Sequence, residues 1–366
     1  MDNNTNTLEN NVKLPTGEKL VVSSSPHVAT SNSVRKIMYK VILALLPVII
    51  AGIWYFGIPA LLVTLYCVIF CIAAEALWCL LTKKPILNTI ADGSAAITGF
   101  MLAVSLPPSV QWHIPLIGAF LAIWLGKQVF GGLGHNPFNP AVVARVGLLI
   151  ALPAALTTWS PARGMDKNYP QIKTFIQSSD AQTCATPLSI VDITPKNLKS
   201  EYNLEGTGKV FEHVDNEKLL WKYFIGQRSG SIGETCIPAI LLGGLILILF
   251  KLINWRVPVC YVGTVAVIAT LMNLFYPGYT PSGLFHLLTG GLMLSAFFMA
   301  TDMVTSPITN AGAVIFAIGC GIITSAIRIW GNYPEGASFA ILFMNALVPL
   351  IDRWTSERPF GYNIKK

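Results

Sequence analysis

The sequence is poor in charged residues and lacks the motifs of common nucleotide-binding and hydrolytic enzymes. Only 12% of its 366 residues are charged, whereas soluble domains average about 25%. It contains no GxGxxG after a strand, no Walker sequence, and no nucleophile setting around any of its five histidines. The low charge excludes an ordinary soluble domain, and the missing motifs argue against hydrolytic catalysis.

Cysteine pairs with metal-binding spacing, basic runs and a signal peptide are absent as well. The seven cysteines are odd in number and include no CxxC pair, so neither a disulfide framework nor a metal site is indicated. The net charge of +7 comes from residues scattered near the ends of apolar segments, which indicates membrane orientation and not nucleic-acid binding. The first 33 residues lack the apolar core of a secretory signal.

Long apolar stretches dominate the rest of the chain, since 53% of its residues are hydrophobic. A helix needs about 20 apolar residues to cross a bilayer, and ten segments qualify approximately. The sequence therefore predicts an all-α polytopic membrane protein. The ten predicted spans are 37–56, 58–81, 90–107, 113–131, 138–155, 236–254, 257–276, 282–304, 310–330 and 336–354.

Two similar segments suggest that the membrane part is duplicated. "TGFMLAVSLPPS" at 98–109 resembles "TGGLMLSAFFMATDMVTSP" at 289–307. Because five helices is an odd number, a second copy would insert in the inverted orientation, as in inverted-repeat transporters. Chance similarity between membrane helices is the alternative. The predicted division is a polar tail at 1–34, repeat 1 at 35–155, an extracytoplasmic segment at 156–235, repeat 2 at 236–355 and a tail at 356–366.

Basic residues near the helix ends predict the orientation. With the N-terminus in the cytoplasm, the short outer loops contain only Arg328, which is the asymmetry of the positive-inside rule. We therefore predict an inner (plasma) membrane protein with both termini in the cytoplasm. The basic residues assigned to the cytoplasmic side are Arg35, Lys36, Lys83, Lys84, Lys127, Lys251, Arg256, Arg353, Arg358, Lys365 and Lys366.

The stretch "GKQVFGGLGHNPFNPAVVAR" at 126–145 interrupts the apolar pattern. Its glycines, including Gly131 and Gly132, and its two Asn-Pro steps, the second at Asn139, cannot continue a helix. Irregular backbone at membrane depth survives only where protein or water satisfies its polar groups. The stretch is either a broken-helix site or an ordinary cytoplasmic loop, and the sequence favours neither.

Four ionisable residues fall within the predicted spans or at their ends, namely Glu75, Asp92, His286 and Asp302. Such residues are costly in lipid, and each is a candidate functional residue. Asp92 and Asp302 lie where helices begin or end, so helix capping competes with a cation path as their role.

The polar run "SDAQTCATPLSI" at 179–190 lies between the two apolar halves. A threonine hydroxyl is a poor nucleophile without an activating neighbour, and no base lies nearby in the run. Thr186 is therefore either part of an exposed Thr-Pro turn or the acceptor of a modification made by another enzyme.

Three motifs in order, "GKQVFGGLGHNPFNPA", "DAQTCATPL" and "LTGGLMLSAFFMATDMVTSP", resemble signatures of one membrane-protein family. That family contains the RnfD component of the Rnf ferredoxin:NAD oxidoreductase complex and the NqrB component of the sodium-pumping NADH:quinone reductase. The resemblance covers about residues 35 to 355. The short polar tail and the Thr-Pro-Leu after the second motif favour the Rnf branch.

The resemblance implies a covalent flavin. In this family a flavin transferase esterifies FMN through its phosphate to a threonine, and Asp180, Thr183, Ala185 and Thr186 match the attachment motif. Thr186 is the implied anchor, although Cys184 stands where glycine is frequent. General aromatic and arginine behaviour nominates Trp159 and Tyr169 for ring stacking and Arg163 for the phosphate.

The resemblance also implies a second, non-covalent flavin and a set of partners. Riboflavin would lie against the broken segments Gly126–Asn139 and Thr289–Asp302. The expected role is that of a translocase component which couples electron transfer to sodium or proton movement, in a complex with Rnf subunits A, B, C, E and G. The alternatives are the NqrB component of the quinone reductase, a non-redox inverted-repeat transporter or channel, and a passive scaffold.

Overall fold

A computed structural model describes residues 33–164, 186–188, 215–276, 280–331, 333 and 335–356, and the structural statements below concern these residues. All regular structure within these ranges is helical. The core belongs to a compact unit that spans Arg35–Lys366.

The first half of the chain contains two long helices followed by several shorter ones. Gly57, in a left-handed conformation, separates the two long helices. The second of them ends at Lys83, which also has a positive φ. The helices are α1 (Val34–Phe56), α2 (Ile58–Thr82), α3 (Ile86–Ile90), α4 (Ser94–Ser105), α5 (His113–Phe120) with a π-helical continuation (Leu121–Gln128), α6 (Pro140–Ala151) and α7 (Pro153–Thr157).

The second half has three long helices and one broken segment. The break lies at Thr289–Gly291, where Gly290 adopts a positive φ. The helices are α8 (Glu217–Ile225), α9 (Ile237–Leu249), α10 (Arg256–Phe275), α11 (Gly283–Leu288), α12 (Leu292–Leu294) with a π-helical continuation (Ser295–Met299), α13 (Asn310–Trp330) and α14 (Ala337–Thr355).

Five helices, α1, α2, α10, α13 and α14, are long and apolar enough to cross a membrane. They confirm the prediction of an all-helical, polytopic membrane protein. Two predicted spans differ from the structure, because 90–107 and 282–304 are each interrupted by non-helical residues. Hydropathy does not detect such interruptions, since the residues on both sides of each break are apolar.

The two halves are joined by hydrogen bonds between their irregular segments. In one connection the N–H groups of Ile232 and Gly233 donate to the carbonyls of Leu106 (3.0 Å) and Val104 (2.8 Å) at the end of α4. In the other, Asn139 Nδ2 donates to the Met299 carbonyl at 3.2 Å. Each half therefore supplies partners for backbone groups that the other half's broken helix leaves without intrahelical bonds.

Helices α1 and α9, one from each half, approach closely at Gly243. A Cβ atom on Gly243 would lie 2.3 Å from the Ala44 carbonyl oxygen and 2.7 Å from Phe298 Cζ. Neither contact is sterically allowed, and the first involves backbone, which cannot move aside as a side chain can. Small residues at helix crossings allow this kind of approach in membrane proteins.

We expect Gly243→Ala to separate α1 from α9 and to destabilise the protein by about 3 kcal/mol, the upper end for overpacked cores. The measurement is thermal unfolding in detergent, followed by size-exclusion chromatography. Gly263→Ala is the matched control, since Gly263 lies within α10 and a Cβ there meets nothing within 4 Å. The control should be neutral or slightly stabilised, and equal losses in both variants would contradict the steric argument.

Candidate functional site

A cavity of about 120 Å³ lies between the broken segments of the two halves. It is found at the end of the protein where α1 begins and α9 ends. A single water needs roughly 10 to 15 Å³, so the cavity has room for a small organic group. Its lining is mainly apolar, with polar side chains from Ser94, Thr98, Lys127, Asn136, Asn139, Thr301 and Asp302.

The two asparagines of the NPFNP stretch have different roles in this lining. Asn139 is 6% exposed and begins α6, where its Oδ1 accepts the N–H of Ala141 at 3.0 Å. Asn136 is 4% exposed and donates to the Phe138 carbonyl, but its Oδ1 has no partner. A buried amide oxygen without a partner at a cavity is an acceptor available to a ligand.

The cavity brings together residues that the sequence nominated separately. Asn139 and Asp302 both line it, although 163 positions separate them in the chain. Gly131 and Gly132 lie in the same loop as Asn136 and have positive φ values of 117° and 102°. Their backbone requires glycine, and the loop they form carries both asparagines to the cavity.

Lys127 is buried beside the cavity and does not lie at an exposed cytoplasmic helix end. It is 2% exposed and forms an ion pair with Glu75 of α2, which has no exposed surface. Gln128 Nε2 donates to the same Glu75 oxygen at 2.8 Å. The π-helical turn directs these two consecutive side chains towards one carboxylate, and such turns are frequent at functional sites.

Hydrogen bonds extend this pair to the start of α4. Lys127 Nζ donates to Ser94 Oγ at 2.7 Å, and Ser94 Oγ donates to Asp92 Oδ1 at 2.6 Å. Asp92 Oδ1 also accepts the Ser94 N–H at 2.7 Å, which is a capping contact. The second Glu75 oxygen has no partner. One ammonium group therefore lies between two carboxylates along a continuous polar path.

Thr186 lies at the opposite end of α1 and α9 from the cavity. It is 7% exposed, and Leu188 packs with Tyr223 of α8 and Phe285 of α11. The other matched motif residues, Asp180, Thr183 and Ala185, lie outside the described residues, as do Tyr169 and Cys184. The tripeptide 186–188 is thus attached to the second half of the membrane core.

Trp159 and Arg163 pack against the first half. The Arg163 N–H donates to the Tyr55 carbonyl at 2.8 Å, and its exposed guanidinium group lies 5.2 Å from the centre of the Trp54 ring. Trp159 is 7% exposed and follows Thr158, whose carbonyl accepts the Ser109 hydroxyl. The contacts described for these two residues do not include Thr186.

A buried cluster of charged residues near Thr186 was missed by the sequence reasoning. We call it the outer charge cluster. Arg145 pairs with Glu335 at 3.1 Å, and Arg228 donates to the Glu234 carbonyl. Charged helical residues such as Arg145 inside an apolar segment are the signal that could have revealed it. The cluster consists of Arg145, Arg228, Glu234, Arg328 and Glu335.

The carboxyl group of Glu234, in the loop before α9, is buried within this cluster. Its Oε1 accepts the Ser231 N–H at 2.6 Å. Burial, together with the nearby Glu335 carboxylate, raises the pKa of Glu234 to about 7 against the opposing effect of Arg228. Near neutral pH the cluster of three arginines and two glutamates therefore carries a net charge of at least +1.

Protein comparisons assign the chain to a family. The model of the NQR2, RnfD, RnfE family matches residues 21–361, which include both the cavity and Thr186. The chain belongs to this family. Its described residues contain no group of three or more His, Cys, Asp or Glu side chains that could hold a metal ion.

Three relatives align over nearly their whole length, and each is named as the D subunit of such a complex. That of the proton-translocating ferredoxin:NAD(+) oxidoreductase complex of Clostridium ljungdahlii is 43% identical over 93% of this chain and 96% of its own. The D subunit of the Na(+)-translocating ferredoxin:NAD(+) oxidoreductase complex of Acetobacterium woodii is 42% identical over 95% and 97%. That of the ion-translocating oxidoreductase complex of Stutzerimonas stutzeri is 42% identical over 91% and 94%. Relatives named for protons and for sodium are thus equally similar to this chain.

Proposed function

We propose that this chain is the D subunit of an ion-translocating ferredoxin:NAD oxidoreductase complex. The observation that supports this most strongly is identity of 42–43% to three D subunits of ion-translocating oxidoreductase complexes, over more than nine-tenths of each chain. Its partners are the other subunits of the complex, A, B, C, E and G, the flavin transferase, and the lipid that surrounds the apolar helices. The relatives do not distinguish sodium from protons, so the transported ion is left open.

Thr186 is the proposed site of a covalent FMN phosphodiester. Its side-chain oxygen would form the ester, while the packing of Leu188 against Tyr223 and Phe285 fixes the segment on the membrane core. When bound, FMN supplies one-electron chemistry that the side chains of the chain lack. An ester bond would keep the cofactor attached in every oxidation state.

The cavity is the proposed site of the second, non-covalent flavin. Its apolar surfaces suit a flat ring, and the free Asn136 Oδ1 is an acceptor for a ring N–H group. Asn139 and Thr98 already bond to protein backbone and would contribute shape. Lys127, which lines the cavity, would place a positive charge beside the bound ring.

The orientation and the internal repeat belong to the same proposal. With α1 beginning in the cytoplasm, the cavity faces the cytoplasmic side and Thr186 the outer side. The α4 helix runs from Ser94 at the cavity to Val104 at the outer loop, about 18 Å at 1.5 Å per residue. The equivalent behaviour of the broken segments at 94–106 and 292–302 supports an inverted repeat.

The direct test is the intact mass of the chain expressed with and without the flavin transferase. We expect the mass to increase by one FMN phosphodiester only when the transferase is present, and the denatured band to fluoresce under ultraviolet light. A redox component with covalent flavin requires this result. An unmodified chain from cells that contain an active transferase would contradict the covalent-flavin proposal and favour a non-redox transporter.

A second prediction tests the cavity. In a Thr186→Val background, which lacks covalent flavin, Asn136→Leu should weaken riboflavin binding about tenfold, because one hydrogen bond in a buried site contributes about 1 to 2 kcal/mol. Bound flavin is measured in the supernatant after acid precipitation. Asn273→Leu is the control, since Asn273 bonds to the Thr280 carbonyl away from the cavity. Equal riboflavin in both variants would exclude this binding site.

A further inference from the structure

Two arginines of the outer charge cluster are buried without a carboxylate partner. Arg228 is 2% exposed and Arg328 is 8% exposed. The ion pairs found in the described ranges are Lys127–Glu75 and Arg145–Glu335, so no carboxylate there lies within 4 Å of either guanidinium group. Buried charges are normally paired, because removing an ion from water costs several kcal/mol.

Carbonyl oxygens satisfy only part of the hydrogen-bonding capacity of these groups. Arg328 donates to the carbonyls of His286 at 2.7 Å and Thr289 at 3.2 Å, and Arg228 donates to that of Glu234. The Nε–H groups of both arginines have no acceptor in the described structure. Three nearby hydroxyl groups are also buried without a partner, and all are potential donors: Ser231, Thr235 and Ser325.

The segment that contains Thr186 lies directly beside Arg328. A Cβ atom on Gly290 would lie 2.7 Å from Arg328 Nη2 and 3.4 Å from Leu188 Cδ2, so this glycine is flanked by both residues. Two residues span at most about 7 Å of chain, which keeps Thr186 within that distance of Leu188. Glu234 Oε2 lies 3.0 Å from the corresponding position on Gly291.

We infer that Arg328 and Arg228 form an anion site that holds the phosphate of the group attached to Thr186. This rests on the proposed phosphodiester. A phosphodiester has one negative charge and two free oxygens, which match the excess positive charge of the cluster and its unused N–H donors. Guanidinium groups suit phosphate because their donors lie in a fixed plane. The buried cations then have the counter-charge that their own chain does not provide.

The same reasoning assigns the phosphate away from Arg163, which the sequence had nominated. Arg163 is exposed and contacts the Trp54 ring, so water and the aromatic face already satisfy its charge. It has no unmet need for an anion. Arg163 is therefore a suitable control residue of the same type.

The phosphorus nucleus reports on this site directly. We would record 31P spectra of the flavinylated full-length chain in a phosphate-free detergent, native and unfolded; riboflavin contains no phosphorus and gives no signal. The native resonance should differ from the unfolded one. Arg328→Gln and Arg228→Gln should each shift it towards the unfolded position, whereas Arg328→Lys retains part of the difference and Arg163→Gln all of it. An unchanged resonance in both Gln variants, or a shift in Arg163→Gln alone, would overturn the assignment.

A measurement on the unmutated chain covers the case in which the Gln variants fail to fold. Chain made without the transferase lacks the phosphodiester, and its cations should bind inorganic phosphate. We expect phosphate to raise its thermal unfolding temperature relative to chloride at equal ionic strength, and to have a smaller effect on the flavinylated chain. Equal effects on both forms would contradict the anion site. If the transferase leaves the chain unmodified, the proposed function fails, and phosphate stabilisation of that chain still tests the arginines.

Discussion

Thr186→Val is expected to abolish covalent flavin attachment completely. Valine has the shape of threonine but lacks the hydroxyl oxygen that would form the phosphodiester, and at a site that is 7% exposed this similarity of shape preserves packing. The band on a denaturing gel should lose its fluorescence, and the intact mass should equal that of the unmodified chain. Electron transfer in the assembled complex should fall with it.

Two matched variants make this result specific. Thr183→Val changes the other threonine of the motif and should keep the label. Thr186→Ser restores the oxygen and should recover most of the labelling, since the chemistry requires a hydroxyl group and not the methyl group. A fluorescent Thr186→Val band would show that another residue is the anchor. Loss of label in both valine variants would point to recognition of the whole motif by the transferase.

The long helices could be predicted from the sequence because their signal is local. The predicted spans 310–330 and 257–276 correspond to Asn310–Trp330 and Arg256–Phe275 within one residue. The interruptions inside 90–107 and 282–304 could not, because apolar residues continue through them. Their stability comes from partners far away in the chain, such as the hydrogen bonds from Ile232 and Gly233 to the end of α4.

Parts of the candidate site could be predicted for a different reason. Glycine and Asn-Pro steps mark backbone that cannot be helical, and this led to Asn139. The charge pairings were not predictable, since Lys127 and Glu75 are separated by 52 positions and Arg145 and Glu335 by 190. A basic residue near a helix end looks the same in a sequence whether it faces water or a buried carboxylate. The positive-inside pattern therefore counted Lys127 among the cytoplasmic charges.

The Lys127–Glu75 pair gives the second large expected effect. Lys127→Met should destabilise the protein by about 3 to 5 kcal/mol, because it leaves Glu75 as a buried carboxylate without its counter-ion. Gln128 would remain as a hydrogen-bond donor but carries no charge. The measurement is thermal unfolding of the purified chain in detergent. Glu75→Gln should have a similar effect, since it leaves the Lys127 ammonium group unpaired.

The double variant Lys127→Met/Glu75→Met separates loss of the pair from loss of packing. Replacing both partners of a buried ion pair with apolar residues of similar size is often neutral or stabilising, so the double variant should be more stable than either single variant. The coupling in this cycle should be several kcal/mol. Additive losses would mean that the two side chains act independently. If the double variant folds stably but the complex no longer moves ions, the pair serves ion translocation at the expense of stability, as expected for charges that line a membrane cavity.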